Sequence, residues 1–297
     1  MAAVALLVSA TAFGGGRPGP TALDGASPRV IGARVDCAMP DECVVSWELA
    51  RAPVRVFAGP SPDAIDHEVP VAVAPTGTQV VVPAPDPDPH YFEVVPAHAR
   101  RGPVVGDRFA GLPSAPNTRD LGGYQTFDGK RTRWGRLYRS DGLAQAGDAD
   151  RAALAARGLP AACPASGPAR PLDDGALLAE AEAVTTPAAR ARDRALLRRL
   201  AADGGPHWVH CDLFADRLGW PAALVLTTLG VRRETVVADH LLSARFGLPP
   251  PPQRRPLDAA FEVIRRRYRT WDRYLRSGLG LDQRTYDRLL ARYVTDR

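Results

Sequence analysis

The run His207-Trp208-Val209-His210-Cys211-Asp212-Leu213-Phe214-Ala215-Asp216-Arg217-Leu218-Gly219-Trp220-Pro221 passes from a short apolar strand, through a tight loop, into a helix. A loop closed by the first turn of a helix aims backbone N–H groups and the positive end of the helix dipole at one point, which suits an oxyanion such as phosphate. The same field lowers the pKa of a thiol, so Cys211 at the mouth of the loop can be a thiolate at neutral pH. Arg217, six positions on, can hold two phosphate oxygens with its planar fork. Cys-x5-Arg spacing alone is weak in an Arg-rich chain, and the competing reading of Cys211 is a buried core thiol. The context supports the loop. Pro221 is tolerated in the first turn of a helix, and Leu218, Ala222, Val225, Leu226 and Leu229 form an apolar stripe along it.

Outward from this run, the pattern predicts helices over 148–157, from 173 or 174, and over 187–203, 234–246, 257–277 and 282–294. Asp148 is the expected N-cap of the first, with Gly158 closing it. Leu196, Leu197 and Leu200 are expected to face inward. Asp128-Gly129 predicts a hairpin turn whose return strand runs through Trp134-Gly135-Arg136-Leu137-Tyr138-Arg139-Ser140. Strands alternating with helices imply an α/β domain over 113–297, with a mostly parallel central sheet flanked by helices.

Before it, short alternating or apolar runs separated by Pro, Gly and Asp turns read as a small all-β sandwich over 28–96. The runs are 30–35, 43–47, 54–57, 78–82 and 91–95, and Trp47 ends an early one. The polar, Gly/Pro-broken stretch 97–112 reads as a linker. Cys37 and Cys43 flank a turn and suit a disulfide in an exported protein, the alternative being two reduced core thiols. Residues 1–12 resemble the apolar core and cleavage site of a secretory signal, without a basic residue before Arg17, and 13–27 form a second linker. That predicts a secreted or cell-envelope protein, cytoplasmic if the segment is not a signal. The segment is too short to span a membrane as a helix.

The chain has 297 residues and a net charge of +5, yet Lys130 is its one Lys and its Arg residues are scattered among Asp and Glu. The densest basic run, Arg265-Arg266-Arg267-Tyr268-Arg269, reads as a solvated helix face, and no nucleic-acid motif accompanies it. His and Cys show no metal-ligand spacing, so neither metal nor cofactor is expected. Oligomeric state is not legible.

Asn117-Thr118-Arg119-Asp120-Leu121-Gly122-Gly123 followed by Gly135-Arg136-Leu137-Tyr138-Arg139-Ser140, with His210, Cys211, Asp216, Arg217 and Gly219 in the loop, resembles the bacterial tyrosine/serine protein phosphatase family of the Cys-x5-Arg superfamily. Residues 237–242 also look like that family. The strand pattern of 28–96 resembles a fibronectin type III module. The phosphatase resemblance implies hydrolysis of phosphorylated proteins or small phosphomonoesters through a phosphocysteine on Cys211. Arg217 and the loop residues Asp212, Leu213, Phe214 and Ala215 would bind the phosphate, and Asp216 would be the general acid. Asp216 could instead satisfy backbone donors at the helix start. His210 would orient the loop, and Arg119, Asp120 and Arg139 would form a buried ion-pair framework. The loop departs from the family pattern: Phe214 replaces a Gly, Ala215 a Lys, and Leu218 a hydroxyl residue, while Asp212 adds negative charge beside the thiol. These changes favour an alternative, an impaired relative that binds phosphorylated ligands or acts as an exported interaction module. A rhodanese-like sulfurtransferase also uses a Cys loop before a helix, but the motifs at 117–124 and 135–140 argue against it.

Overall fold

The computed structural model describes residues 30, 32–39, 42–48, 53–83, 91–140, 142–161, 174–202, 205–210, 218–246 and 251–296. The amino-terminal part holds two antiparallel sheets. One is ordered β1 (Arg34–Met39), β2 (Glu42–Ser46), β5 (Gln79–Pro83); the other is ordered β4 (Ala72–Ala74), β3 (Val54–Gly59), β6 (Tyr91–Pro96), β7 (Val104–Gly106). Alternation sets the faces: along β2, Glu42 and Val44 are exposed while Cys43 and Val45 are buried, as the twofold period of a strand requires. Cys43, Val45, Trp47, Val56, Phe92 and Val94 share one apolar cluster. Cys37 and Cys43 are joined by a disulfide. The stretch read as a linker contributes β7, which pairs with β6.

Strand β6 is buried along its whole length. Phe92 and Val94 join the apolar cluster, while Tyr91 reaches the carboxy-terminal part, its hydroxyl 3.3 Å from both Asp120 Oδ2 and the Tyr138 hydroxyl. Trp134 Nε1 donates to the Val104 carbonyl at 3.0 Å across the same junction.

The carboxy-terminal part is mixed α/β. Its main sheet is ordered β11 (His207–His210), β10 (Leu137–Arg139), β8 (Arg119–Asp120). Here the expectation of a mostly parallel sheet needs correcting for the described residues: β10 runs parallel to β11 but antiparallel to β8. The reason is local. Chain 121–136 returns through a tight turn at Asp128-Gly129, where Thr126 N–H bonds the Lys130 carbonyl at 2.9 Å, and a parallel pairing would need a longer crossover. A separate pair joins β9 (Arg131–Thr132) to β12 (Val294–Thr295).

Two helical layers cover the main sheet. Tyr138 and Trp208 point to one face, where they cluster with Leu154 of α1 (Asp148–Ala156). Leu137 and Val209 point to the other, toward α4 (Trp220–Thr228). Helix α4 is apolar on nearly all sides, and it is buried on nearly all sides. Around it lie α2 (Asp174–Ala183), α3 (Pro187–Ala202), α5 (Arg233–Leu242), α6 (Arg254–Tyr268) and α8 (Gln283–Tyr293). Leu197 and Leu200 are fully buried in this core, and Leu196 is partly so.

Two further readings change. The N-cap of α1 is Gly147, whose N–H is held by the Asp150 carboxylate at 2.9 Å, rather than Asp148. The single helix expected over 257–277 is broken: α6 stops at Tyr268, Arg269 takes a φ of 70°, and α7 (Trp271–Arg273) runs into one π turn over Tyr274–Gly278. Among the described residues no helix is long and apolar enough to cross a membrane.

Candidate active site

Strand register builds the centre of the site. Arg139 of β10 lies opposite Arg119 of β8 on one side and His210 of β11 on the other. Two like charges directly across a sheet repel each other. Asp239 of α5 offsets this: its Oδ1 accepts from Arg119 Nε at 3.0 Å, and its Oδ2 accepts from Arg139 Nη1 at 3.1 Å. All three residues are almost completely buried. The Tyr124 hydroxyl donates to Asp239 Oδ1 at 2.7 Å, and Arg119 Nη2 also bonds the Asp239 carbonyl at 2.6 Å. Asn117 accepts from Arg119 and donates to Ser243 Oγ at 3.1 Å.

Burial alone would raise the pKa of Asp239, but the two guanidiniums overcome it and hold the carboxyl far below its usual range. Burial, with Arg139 and Arg119 beside it, pushes His210 well below the usual histidine value, so its imidazole is neutral. His240 falls to about 4 for the same kinds of reason, burial first and Arg139 next. Two guanidiniums thus converge on a single carboxylate, with two neutral imidazoles beside them.

The row lies where β11 ends. Ser140 N–H bonds the His210 carbonyl at 3.1 Å, which ties the ends of β10 and β11 together. Ten positions later Trp220 starts α4, with Gly219 as N-cap at φ 69°. A Cβ at Gly219 would sit 2.4 Å from His240 Nδ1, so both backbone conformation and the histidine demand glycine. His240 Nε2 donates to the Gln253 carbonyl at 3.2 Å. Leu218 is buried in the core beside α4. The sequence-predicted residues Cys211, Asp212, Leu213, Phe214, Ala215, Asp216 and Arg217 all fall outside the described residues, which frame them on both sides.

Asp120 plays a different part from Arg119 and Arg139. Rather than joining their ion pairs, its carboxylate accepts from the N–H groups of Gly122 at 2.7 Å and Gly135 at 2.6 Å, and from Tyr91. Burial raises its pKa to about 6, with those two backbone N–H groups pulling the other way. Gly122 is required by close approach, since a Cβ there would lie 2.4 Å from Trp134 Cα. Arg108 stacks on Tyr124 and Trp134, its guanidinium carbon 4.0 and 4.8 Å from the ring centres, and donates to the Asp120 carbonyl.

Sequence reasoning missed Asp239, Tyr124 and Ser243 as members of this network. The available signal was electrostatic: two arginines on buried strand positions require a buried carboxylate, and Asp239 is the buried carboxylate of α5.

Comparisons with known proteins match the same region of the chain. A protein-family model described as the tyrosine phosphatase family matches residues 110–163 and 170–295, more than half of the chain. A Cupriavidus necator protein named as a "putative tyrosine-protein phosphatase" is 28% identical over 189 residues, covering 50% of this chain and 68% of that protein. The match of the family model spans the Arg119–Arg139–Asp239 framework and both flanks of the loop, and the chain belongs to the tyrosine phosphatase family.

Proposed function

We propose that the chain hydrolyses phosphomonoesters through a covalent phosphocysteine. The Cys211 thiolate attacks phosphorus, an S–P bond forms and the ester P–O bond breaks. Asp216 gives its proton to the leaving oxygen. Water then attacks the phosphocysteine, returning a proton to Asp216, releasing inorganic phosphate and regenerating the thiolate. Arg217 and the backbone N–H groups of residues 212–215 stabilise charge on the transferring oxygens. The observation that carries this reading is the pair of guanidiniums, Arg119 and Arg139, gathered on Asp239 beside the end of β11 and the amino terminus of α4. A helix amino terminus with buried cationic side chains behind it favours a thiolate and a phosphate dianion between the two elements.

One observation favours the second reading, an impaired relative that binds phosphate without turnover. Leu218 is only 2% exposed and belongs to the apolar core, so that position gives the loop no hydroxyl to support the Cys211 sulfur. Hydrolysis of an aryl phosphate by the reduced, metal-free chain decides between them, with Cys211→Ser and vanadate as controls. Turnover that vanishes in Cys211→Ser supports the phosphocysteine route. Equal inertness of both, with phosphate still raising the melting temperature, supports the binding reading.

We also read 28–96 as a fibronectin type III-like sandwich and 113–297 as the phosphatase domain. The Cys37–Cys43 disulfide favours an oxidising, extracytoplasmic location. The substrate class is a phosphorylated protein or a small phosphomonoester.

A further inference from the structure

A cavity of about 460 Å³ lies where the amino-terminal sheets meet the segment joining β9 to β10. None of Arg119, Arg139, His210 or Asp239 lines it. One wall carries Asp63, His67, Glu93 and Arg101; the other carries Arg133 and Arg136. Glu93 is buried and already satisfied: it accepts from His67 Nε2 at 2.7 Å, from the Gly102 N–H at 2.7 Å and from Arg101 Nη1 at 3.1 Å. Asp63 accepts from Arg136 Nη2 at 3.2 Å. Arg133 donates through Nε to the Val294 carbonyl at 3.0 Å, and no carboxylate pairs with it among the described residues.

Among the described residues three guanidiniums line this cavity with two carboxylates; Arg101 pairs with Glu93 and Arg136 with Asp63, which leaves an excess of one positive charge, that of Arg133. Arg is the side chain whose planar fork matches the oxygens of phosphate and similar anions. A cleft with low-dielectric walls concentrates such an excess of positive charge onto an incoming anion. We propose that this cavity is a second anion site, taking a small oxyanion of the phosphate class between Arg133 and Arg136 on one wall and Arg101 on the other. A bound anion would then tie together the two parts of the chain that supply the walls. The site does not depend on the chemistry of Cys211.

Calorimetric titration of the full chain with inorganic phosphate at low ionic strength tests this, in an Arg217→Ala background that removes the clamp of the proposed catalytic loop. One phosphate site is expected to remain, and adding Arg133→Gln is expected to weaken it at least tenfold. Arg136→Gln, at a side chain 35% exposed, gives the same answer should Arg133→Gln fail to fold through loss of the Val294 contact. Absence of phosphate binding in the Arg217→Ala chain, or binding changed less than twofold by both glutamine variants, overturns the proposal.

Discussion

His240 is a neutral imidazole in the folded protein down to about pH 4, against an ordinary value of 6.5. The sign of the resulting linkage is fixed by which state binds the proton first. Above pH 6.5 neither state is protonated there, and the contribution to stability is complete. As the pH falls from 6.5 toward 4 the unfolded chain gains a proton that the folded chain refuses, and stability is lost, on the order of 3 kcal/mol for a shift of this size. Asp120 acts in the opposite sense. Its folded pKa of about 6 lies above the ordinary 3.8, so its contribution is complete below 3.8 and is lost as the pH rises through 6. Urea unfolding at pH 7 and pH 4.5 is therefore compared between wild type and His240→Asn. Wild type is expected to lose more stability on acidification than the variant, and equal losses would remove His240 from the account. At this scale the sequence disclosed Arg119, Arg139 and His210, because each stands in a local motif. Asp239 was not disclosed as their partner, because the contact that gives it meaning spans 120 positions of chain.

Among the elements, the break after α6 is the most informative. Leu257, Phe261, Ile264 and Tyr268 continue a helical stripe that the sequence extends without interruption. Continuing that helix would carry Tyr274 out of its place. Instead the chain turns at Arg269 (φ 70°, ψ −46°), Thr270 Oγ1 caps the next turn by accepting from Arg273 N–H at 3.1 Å, and Tyr274 is fully buried with its hydroxyl 2.6 Å from Asp193 Oδ2. A side chain at that φ and ψ is strained, by about 1 kcal/mol or more. Arg269→Gly is expected to raise stability by about 1 kcal/mol, read as an increased urea midpoint at unchanged slope; a lower midpoint would show that the arginine's contacts outweigh the strain. The long amphipathic helices were readable from period alone. The strands holding β10 and β11 were read too, but β8 and its antiparallel pairing were not, since β8 has only two residues, too few to display any period.

At the scale of the molecule, the second face of β6 makes the amino-terminal sheets and the α/β part interdependent. Tyr91 is 3% exposed, packs edge-on against Trp134 with ring centres 6.3 Å apart, and hydrogen-bonds the carboxylate that fixes Gly122 and Gly135. We expect one cooperative thermal transition for the whole chain, and in Tyr91→Ala a loss of about 3–5 kcal/mol, the cost of deleting a large buried ring. Scanning calorimetry checks both. Two separated transitions in wild type would mean that the junction contributes little. The β runs were legible from alternation, but their junction was hidden in a stretch whose Arg, Gly and Pro content reads as linker, and β7 contributes only three residues to betray it.

The pairing of Arg119 with Asp239 also bears on how the protein is made. Synthesis proceeds from the amino terminus at about 5–20 residues per second, so the ribosome adds the carboxylate roughly 6–24 s after the first arginine. Arg133 waits longer still for Val294, which comes 161 positions later. During that interval β8 and β10 carry their like charges without Asp239 between them, and the framework of the site cannot close. A nascent chain therefore lacks the buried Arg119–Asp239–Arg139 framework until translation has passed α5.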